Sequence, residues 1–181
     1  MPGTLNVGGH DIITHTGDAG AGTVAIQDVL QFPAGHVIQT QFNNGISNAH
    51  EYDGSGTTQT SSFLTDSITT TVANSKILVM YSSYGSHTQS GTTGKAWLQR
   101  TIDGVAIQIN EGTMIHFWAN YSSNYGNGYD PLHINYIDSP NVAAGTQITY
   151  SSRFVRASGS NSFYYVHDNY LYQTTLQEIM P

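Results

Sequence analysis

Cysteine is absent from this chain of 181 residues, and charged side chains are scarce. Without cysteine, neither a disulfide framework nor a thiolate metal site can form. Asp, Glu, Lys and Arg make up 9% of the residues, whereas an ordinary soluble domain has about 25%. No apolar run approaches the roughly 18 residues of a membrane-spanning helix. The sequence therefore predicts neither a disulfide-rich miniprotein nor insertion into a membrane.

Cations are the rarest charged residues, and they do not cluster. The chain has five Lys and Arg, a net charge of -7 and a pI near 5.4. Binding to a phosphate backbone needs clustered cations, so a nucleic-acid partner is not expected. The opening "MPGTLNVGGHD" lacks the basic and apolar regions of a secretory signal peptide, which predicts synthesis in a cytoplasm.

Gly, Ser, Thr, Asn and Tyr take the place of the missing charge, and apolar residues alternate with polar ones along much of the chain. This alternation predicts strands at 36–42, 63–72, 75–84, 95–102, 105–109, 113–121, 132–137, 146–156, 161–166 and 170–179. The one helical pattern, at 23–32, fits a strand followed by a turn nearly as well. The predicted fold class is all-β, an antiparallel jelly-roll sandwich of about 8 to 10 strands.

Turn residues support this interpretation. Asp103 and Gly104 predict a two-residue hairpin. In "IDSPNVAAGTQITY" (137–150), Pro140 ends one strand and Gly145 precedes the next, which predicts a wide crossing between strands rather than a catalytic loop. Long loops are predicted at 43–62 and 120–131.

The first 33 residues differ from the rest, because short apolar bursts interrupt a Gly-rich segment. We expect 1–33 to be an attachment arm that docks on another surface, with the jelly-roll domain at 34–181. A floppy terminus is the alternative.

Five segments between residues 32 and 179 carry recognisable motifs. They are "FPAGHVIQTQ" (32–41), "NSKILVMYSS" (74–83), "LQRTIDGVAI" (98–107), "IDSPNVAAGTQITYSSRF" (137–154) and "LYQTTLQEI" (171–179). In this order and spacing they resemble the C-terminal domain of bacteriophage tail-fibre and virion-appendage proteins, notably those of marine and cyanobacterial phages.

The resemblance implies a jelly roll similar to the tumour-necrosis-factor-like fold, usually a homotrimer, that acts in virion assembly or host attachment. The chain departs from the family in its short N-terminal part, which has neither heptads nor collagen-like repeats, and in its loops at 43–62 and 120–131. The first departure favours a short spike, a terminal knob or a capsid decoration protein over a long fibre.

No residue pattern predicts catalysis, and we expect no enzyme activity and no cofactor. Ser86 beside His87 lacks the strand-turn-helix context of a nucleophile and predicts a polar hairpin tip. A glycosidase pair of Asp130 with Glu111 has nothing that selects it.

Metal binding is not expected either. No two histidines have the spacing of ligands on one strand, and "EYDGSG" (51–56) has too few carboxylates for a calcium loop. His116 is predicted to be a half-buried side chain. One histidine per chain meeting its copies at a threefold axis stays open.

Two Tyr-rich segments, 80–91 and 120–133, are the candidates for ligand binding. Tyr offers a large, rigid and amphipathic surface, and the neighbouring Ser and Asn offer adaptable hydrogen bonds, a mixture that suits a glycan or a protein receptor. The alternative is that these segments pack against neighbouring subunits. The candidate receptor-binding residues are Tyr81, Tyr84, His87, Tyr121, Tyr125, Tyr129 and Asp130.

The aromatic segment at 161–179 predicts self-association, since one sandwich cannot hide rings on both faces of its strands. We therefore expect a homotrimer, and the resemblance to phage appendage proteins implies that it is a tail-fibre or spike-type appendage of a virion that binds the host surface. Its other expected partners are phage virion proteins, contacted through 1–33. The alternatives are a capsid decoration protein with no receptor role and a bacterial sugar-binding lectin.

Overall fold

The protein is described by a computed structural model that covers residues 3–7, 10–16, 23–26, 33–46, 51–53, 57–87, 93–109, 115–118, 128–158, 163–166 and 171–181. The chain divides into two compact units, Met1–His36 and Val37–Pro181. Every regular element within the described ranges is a β-strand. These ranges contain no helix that is long and apolar enough to cross a membrane.

The described part of the first unit is an antiparallel sheet with the order β1-β2-β3. Its strands are β1 (Gly3–Val7), β2 (His10–Thr16) and β3 (Thr23–Ile26). β1 and β2 lie in the segment that was predicted to be an arm, and neither was predicted as a strand. Their apolar bursts are too short to show the two-residue alternation of a strand. In the pattern at 23–32, residues 23–26 form a strand and 27–32 lie outside the described residues.

The second unit contains eleven described strands. They are β4 (Val37–Ile46), β5 (Glu51–Asp53), β6 (Gln59–Thr69), β7 (Lys76–His87), β8 (Thr93–Ile102), β9 (Val105–Gln108), β10 (Ile115–Trp118), β11 (Gly128–Asp138), β12 (Gln147–Ser158), β13 (Phe163–Val166) and β14 (Leu171–Ile179). All ten strands predicted from sequence are present, with shifted ends.

These strands form two antiparallel sheets with jelly-roll topology. The main part of the first sheet has the order β4-β14-β7-β11, and β13 and β5 pair beyond it at the far end of β7. The second has the order β6-β12-β8, and β9 and β10 pair in succession along the outer edge of β8. Eight strands remain when β9 and β10 are counted as one strand and the short β5 and β13 are left out. Numbered 1 to 8 along the chain, they have the order 1-8-3-6 in the first sheet and 2-7-4-5 in the second. This is the double Greek key of a jelly roll. The predicted fold class is confirmed.

The core lies between the two sheets and follows from strict alternation. On β7, for example, Ile77, Val79 and Tyr81 point inward and are at most 1% exposed. Matching inward rows come from β6, β8, β11, β12 and β14. Because successive side chains of a strand point to opposite faces, each apolar residue at every second position adds to one shared core.

The predicted turns are confirmed. Asp103 and Gly104 have φ angles of 50° and 78°, the left-handed values of a type I′ hairpin turn between β8 and β9. Residues 139–146 cross from the first sheet to the second. Backbone hydrogen bonds tie this crossing to the loop after β6, from Gly145 to Thr70 at 2.7 Å and from Asn74 to Val142 at 2.9 Å.

The predicted loops at 43–62 and 120–131 are wrong in part. β4 continues to Ile46, β6 begins at Gln59, and β11 begins at Gly128. The hairpin tip predicted at Ser86 and His87 is also wrong, because both residues belong to β7, and β7 and β8 lie in different sheets. In each case pairing with a neighbouring strand outweighs local turn propensity.

Candidate functional site

A carboxylate on β14 binds two segments that are distant in sequence, β4 and the loop between β6 and β7. Glu178 on β14 is fully buried and accepts hydrogen bonds from the backbone N–H groups of Thr71 and Val72, at 2.9 and 3.1 Å. It also accepts from the Ser75 hydroxyl at 2.7 Å and from the Gln39 amide. Burial alone would raise the pKa of Glu178, but the hydrogen bonds from Ser75, Val72, Gln39 and Thr71 together lower it. Glu178 therefore remains ionised inside the fold.

A second polar network joins the two sheets. The Arg100 guanidinium on β8 contacts both carboxylate oxygens of Asp138 on β11, at 2.9 and 2.8 Å. The Tyr150 hydroxyl donates to Asp138 at 2.8 Å, and the Tyr81 hydroxyl donates to the Tyr150 carbonyl at 2.7 Å. Burial, and then the charge of Asp138, raises the pKa of Tyr150. Tyr150 therefore remains a neutral hydrogen-bond donor. The network stabilises the packing of the two sheets against each other.

Each of the five motif segments contributes a residue to one of these two networks. Gln39, Ser75 and Glu178 come from the first, second and fifth segments and meet around one carboxylate. Arg100 and Asp138 come from the third and fourth and form the ion pair. Sequence reasoning missed both networks. One signal was available, since Asp138 and Glu178 occupy inward positions of alternating strands, where a charged residue must be paired.

Tyr81 is not available to a receptor, which corrects the prediction for this residue. Its ring lies in the core at 1% exposure, and its hydroxyl is bonded to the Tyr150 carbonyl. The alternation of β7 explains the difference, because Tyr81 points inward with Ile77 and Val79 whereas Tyr84 points outward.

The described parts of the two Tyr-rich segments lie side by side as paired strands. On β7 and β11, Tyr84 pairs with Pro131, and His87 pairs with Gly128. Tyr129 and Asp130 pair with Ser86 and Gly85 in the same ladder. Tyr84 is 40% exposed. Tyr121 and Tyr125 lie outside the described residues.

The outward side of the first sheet carries no Asp, Glu, Lys or Arg at the sixteen central positions, four from each of four strands. We call this surface the neutral face. It consists of Thr40, Phe42, Asn44 and Ile46 on β4; Leu171, Gln173, Thr175 and Gln177 on β14; Leu78, Met80, Ser82 and Tyr84 on β7; and Pro131, His133, Asn135 and Ile137 on β11. The rows are in register, so that Phe42, Thr175, Met80 and Asn135 lie across the sheet in one line.

The outward side of the second sheet is different, because its own side chains bond to one another. The hydroxyls of Ser67 and Thr149 lie 2.8 Å apart. Arg153 donates to the Gln99 side chain at 2.6 Å and to the Gln59 carbonyl at 3.1 Å. These polar side chains therefore have partners within the chain.

An open groove of about 310 Å³ borders the β8–β9 hairpin, lined by Arg100, Ile102, Asp103, Val105 and Ile107. Its walls are aliphatic apart from the two charged residues, and the Arg100 charge is matched by Asp138. Among the described residues, no group of three or more His, Asp or Glu is placed to hold a metal ion. The side chain of His116 is not among those described.

Comparison with known proteins found no matching family model and no matching curated protein. Among solved structures, the chain is similar to the infectious bursal disease virus VP2 subviral particle, with a TM-score of 0.42 and 10% identity over 91% of this chain and 44% of that one. For the Gx strain of the same virus the TM-score is 0.38 and the identity 9%, over 100% of this chain and 50% of that one. The chain thus spans at most half the length of these viral chains. It is also similar to CBM28, a carbohydrate-binding module specific for non-crystalline cellulose, with a TM-score of 0.34 and 9% identity over 93% of this chain and 82% of that one.

Proposed function

We propose that this chain is a structural protein of a bacteriophage virion, a homotrimeric tail-fibre or spike-type appendage that contacts the host surface. The observation that carries the proposal is that the five motif segments contribute to two buried polar networks. These are Glu178 with its hydrogen-bond donors and Asp138 with Arg100. Motifs that were recognised by their order in the sequence thus contribute to the same two buried polar networks. This supports their assignment to one type of domain. The proposal assigns the chain no reaction and no cofactor.

In this proposal, the first unit attaches to the virion. The host surface is contacted by the end of the jelly roll that contains the last residues of β7 and the first residues of β11. His87, Tyr129 and Asp130 occupy that end, with Tyr84 at its border. The segment that carries Tyr121 and Tyr125 leads into β11.

Gold-labelled antibody against this chain, viewed on purified particles from the source lysate, tests the virion assignment. We expect label on the tail or its tip. Label spread over the head would replace the appendage by a capsid decoration protein, and particles without label would refute both assignments and favour a lectin.

Combined Tyr121→Ala, Tyr125→Ala and Tyr129→Ala substitutions test the receptor role. We expect virions to assemble normally but to lose most of their adsorption to host cells, because aromatic anchors supply much of the energy of such contacts. The matched control is Gln108→Ala, an exposed strand residue elsewhere on the jelly roll. Unchanged adsorption by the triple variant would overturn the receptor role and leave the structural one intact.

A further inference from the structure

The hairpin of β8 and β9 carries an apolar surface that is open to solvent in the described part of the chain. All four residues of β9 are exposed, Val105 by 67% and Ile107 by 43%. In the β8–β9 ladder, Ile107 lies opposite Arg100. Val105 lies opposite Ile102, so the four side chains share one side of the hairpin. It is the inward side of the second sheet, because Leu98 on the same side of β8 is buried in the core.

These four side chains and Asp103 line the open groove of about 310 Å³, which we call the β9 groove. Its volume is at the lower limit of ligand pockets, which measure about 300 to 1,000 Å³. The five lining residues include no aromatic ring on which a sugar could stack. Branched aliphatic groups gain most from close packing against other side chains. The β9 groove therefore suits a few aliphatic side chains of a protein segment.

The outer edge of β9 offers backbone groups for pairing. Among the described strands, β9 pairs with β8 alone. Residues that flank a two-residue hairpin turn exchange backbone hydrogen bonds, and bonded pairs then alternate with non-bonded pairs. Ala106 and Gln108 are therefore the residues whose N–H and C=O groups point away from β8. β9 contains neither a charged residue nor a proline, which are among the features that protect an edge strand from further pairing.

Charge indicates which strand fits this edge. The Arg100 guanidinium is neutralised by Asp138, whereas the exposed Asp103 has no ion pair among the described residues. The groove thus has one unbalanced negative charge at its end, which attracts a Lys or Arg. A second copy of this chain is a poor occupant, because each copy has a net charge of -7 and the two repel each other. A cationic segment of a different protein is favoured.

We propose that the β9 groove binds an extended segment of a partner protein, which adds a strand to the edge of β9. Alternate side chains of the segment are aliphatic and pack beside Val105 and Ile107, and a Lys or Arg of the segment lies near Asp103. Main-chain hydrogen bonds supply the affinity in this mode of recognition, and side-chain pockets supply the specificity.

The inference does not rest on the proposed function. Host contact is assigned there to the first residues of β11, whereas Arg100 of the groove bonds to Asp138, the last residue of β11.

A library of short random peptides, panned on the immobilised full chain, tests the proposal. We expect the enriched peptides to alternate aliphatic with polar residues and to contain Lys or Arg. Ile107→Thr keeps a β-branched residue but removes apolar surface from the groove. In fluorescence anisotropy it should raise the Kd of an enriched peptide roughly tenfold, the effect of losing the contact of one aliphatic side chain. The control is Ile46→Thr, the same change at a side chain that is 63% exposed on β4, which should leave the Kd unchanged.

Two further measurements separate the charge from the strand pairing. Asp103→Asn keeps the turn, because Asn-Gly suits this hairpin as well as Asp-Gly does. It should weaken the binding of a cationic enriched peptide by roughly two- to fivefold, and it should not change the binding of a version with Gln in place of the cation. N-methylation of the peptide backbone should abolish binding at every second position and have little effect between them, because a strand donates to its neighbour from alternate residues.

Any other pattern overturns the proposal. If no peptide is enriched, or if wild type and Ile107→Thr bind equally well, the groove is not a docking site. Insensitivity to N-methylation would mean an apolar pocket without strand pairing, and enrichment of acidic peptides would contradict the role of Asp103. A dimer in light scattering that Ile107→Thr converts to a monomer would make a second copy the occupant. Circular dichroism checks that each variant folds, and the N-methylated peptides test the pairing on the unaltered chain.

Discussion

Two buried carboxylates show how a chain with few charged residues accommodates a charge in its interior. Asp138 is balanced by a full opposite charge on Arg100, whereas Glu178 is balanced by backbone N–H groups and neutral side chains. Burying a charge is costly unless such partners are in place. Glu178 therefore fixes the loop after β6 relative to the last strand, because Thr71, Val72 and Ser75 all donate to its carboxylate.

Replacing Glu178 with Gln should destabilise the jelly roll although the shape is nearly conserved. The amide has one acceptor oxygen where the carboxylate has two, and its NH₂ would face donors from Thr71 and Gln39. We expect a loss of about 2 kcal/mol, in the range for hydrogen bonds to a charged group, and a fall in Tm of roughly 4 to 8 °C for a domain of this size. Thermal melts measure this, with Gln177→Asn on the outward side as control. An unchanged Tm would contradict the role assigned to Glu178.

The same carboxylate predicts the acid dependence of stability. Since folding lowers the pKa of Glu178 from its ordinary value of 4.5, its contribution is fully present above that pH. It is lost as the pH falls through the lower pKa of the folded state. Denaturant midpoints between pH 6 and pH 3 should thus fall more steeply for the wild type than for Glu178→Gln, and parallel curves would refute the prediction.

Among the elements, β4 shows how tertiary pairing extends a strand beyond its local signal. Asn43, Asn44 and Gly45 suggest a turn in the sequence, yet they pair with β14 up to Ile46. Tyr172 lies opposite Gly45, and its ring covers the glycine so closely that no side chain fits there. The ring also packs on Phe63, with centroids 5.2 Å apart. An aromatic residue across from a strand glycine is a known device for stabilising such a site.

Gly45→Ala should therefore be harmful even though Gly45 has ordinary strand geometry. The added Cβ would lie 2.6 Å from the Tyr172 hydroxyl oxygen and 2.8 Å from the ring. Displacing a packed ring costs about 1 to 3 kcal/mol. The matched experiment combines Gly45→Ala with Tyr172→Ala, and we expect the double variant to lose less than the two single losses added together. Strict additivity in denaturant unfolding would mean that the two residues do not interact.

The elements were predictable because they depend on alternation, which is local, and the Asp103–Gly104 turn because few residues tolerate positive φ at both positions. The strand ends, and the partners that Asp138 and Glu178 bond to, were not predictable. They depend on which strands become neighbours, and partners as far apart as Gln39 and Glu178 leave no periodic trace. For the same reason, Tyr81 and Tyr84 looked equivalent in sequence although one is core and the other surface.

At the scale of the whole molecule, the chain divides into Met1–His36 and Val37–Pro181, and in the proposed function the first unit attaches to the virion. The hydrophobic core of the jelly roll is built from residues between Leu64 and Leu176, within the second unit. Removing residues 1–32 should therefore leave the melting of the jelly roll within about 0.5 kcal/mol of the full chain, while incorporation into virions is lost. Calorimetry and immunoblots of purified particles measure the two effects. A jelly roll that no longer melts cooperatively would show that the first unit is part of its core.

The place of β14 between β4 and β7 has a consequence for biosynthesis. This middle strand is synthesised after the other strands of the first sheet, so the sheet stays split for roughly 5 to 25 seconds while the ribosome translates the residues between β4 and β14. Pairings as distant as Phe42 with Thr175 also fold slowly, because long loops must close before the contacts form. During that interval the bare edges of β4 and β7 can pair with another nascent chain. In the proposed homotrimer, each copy must therefore complete its own first sheet before it meets the next.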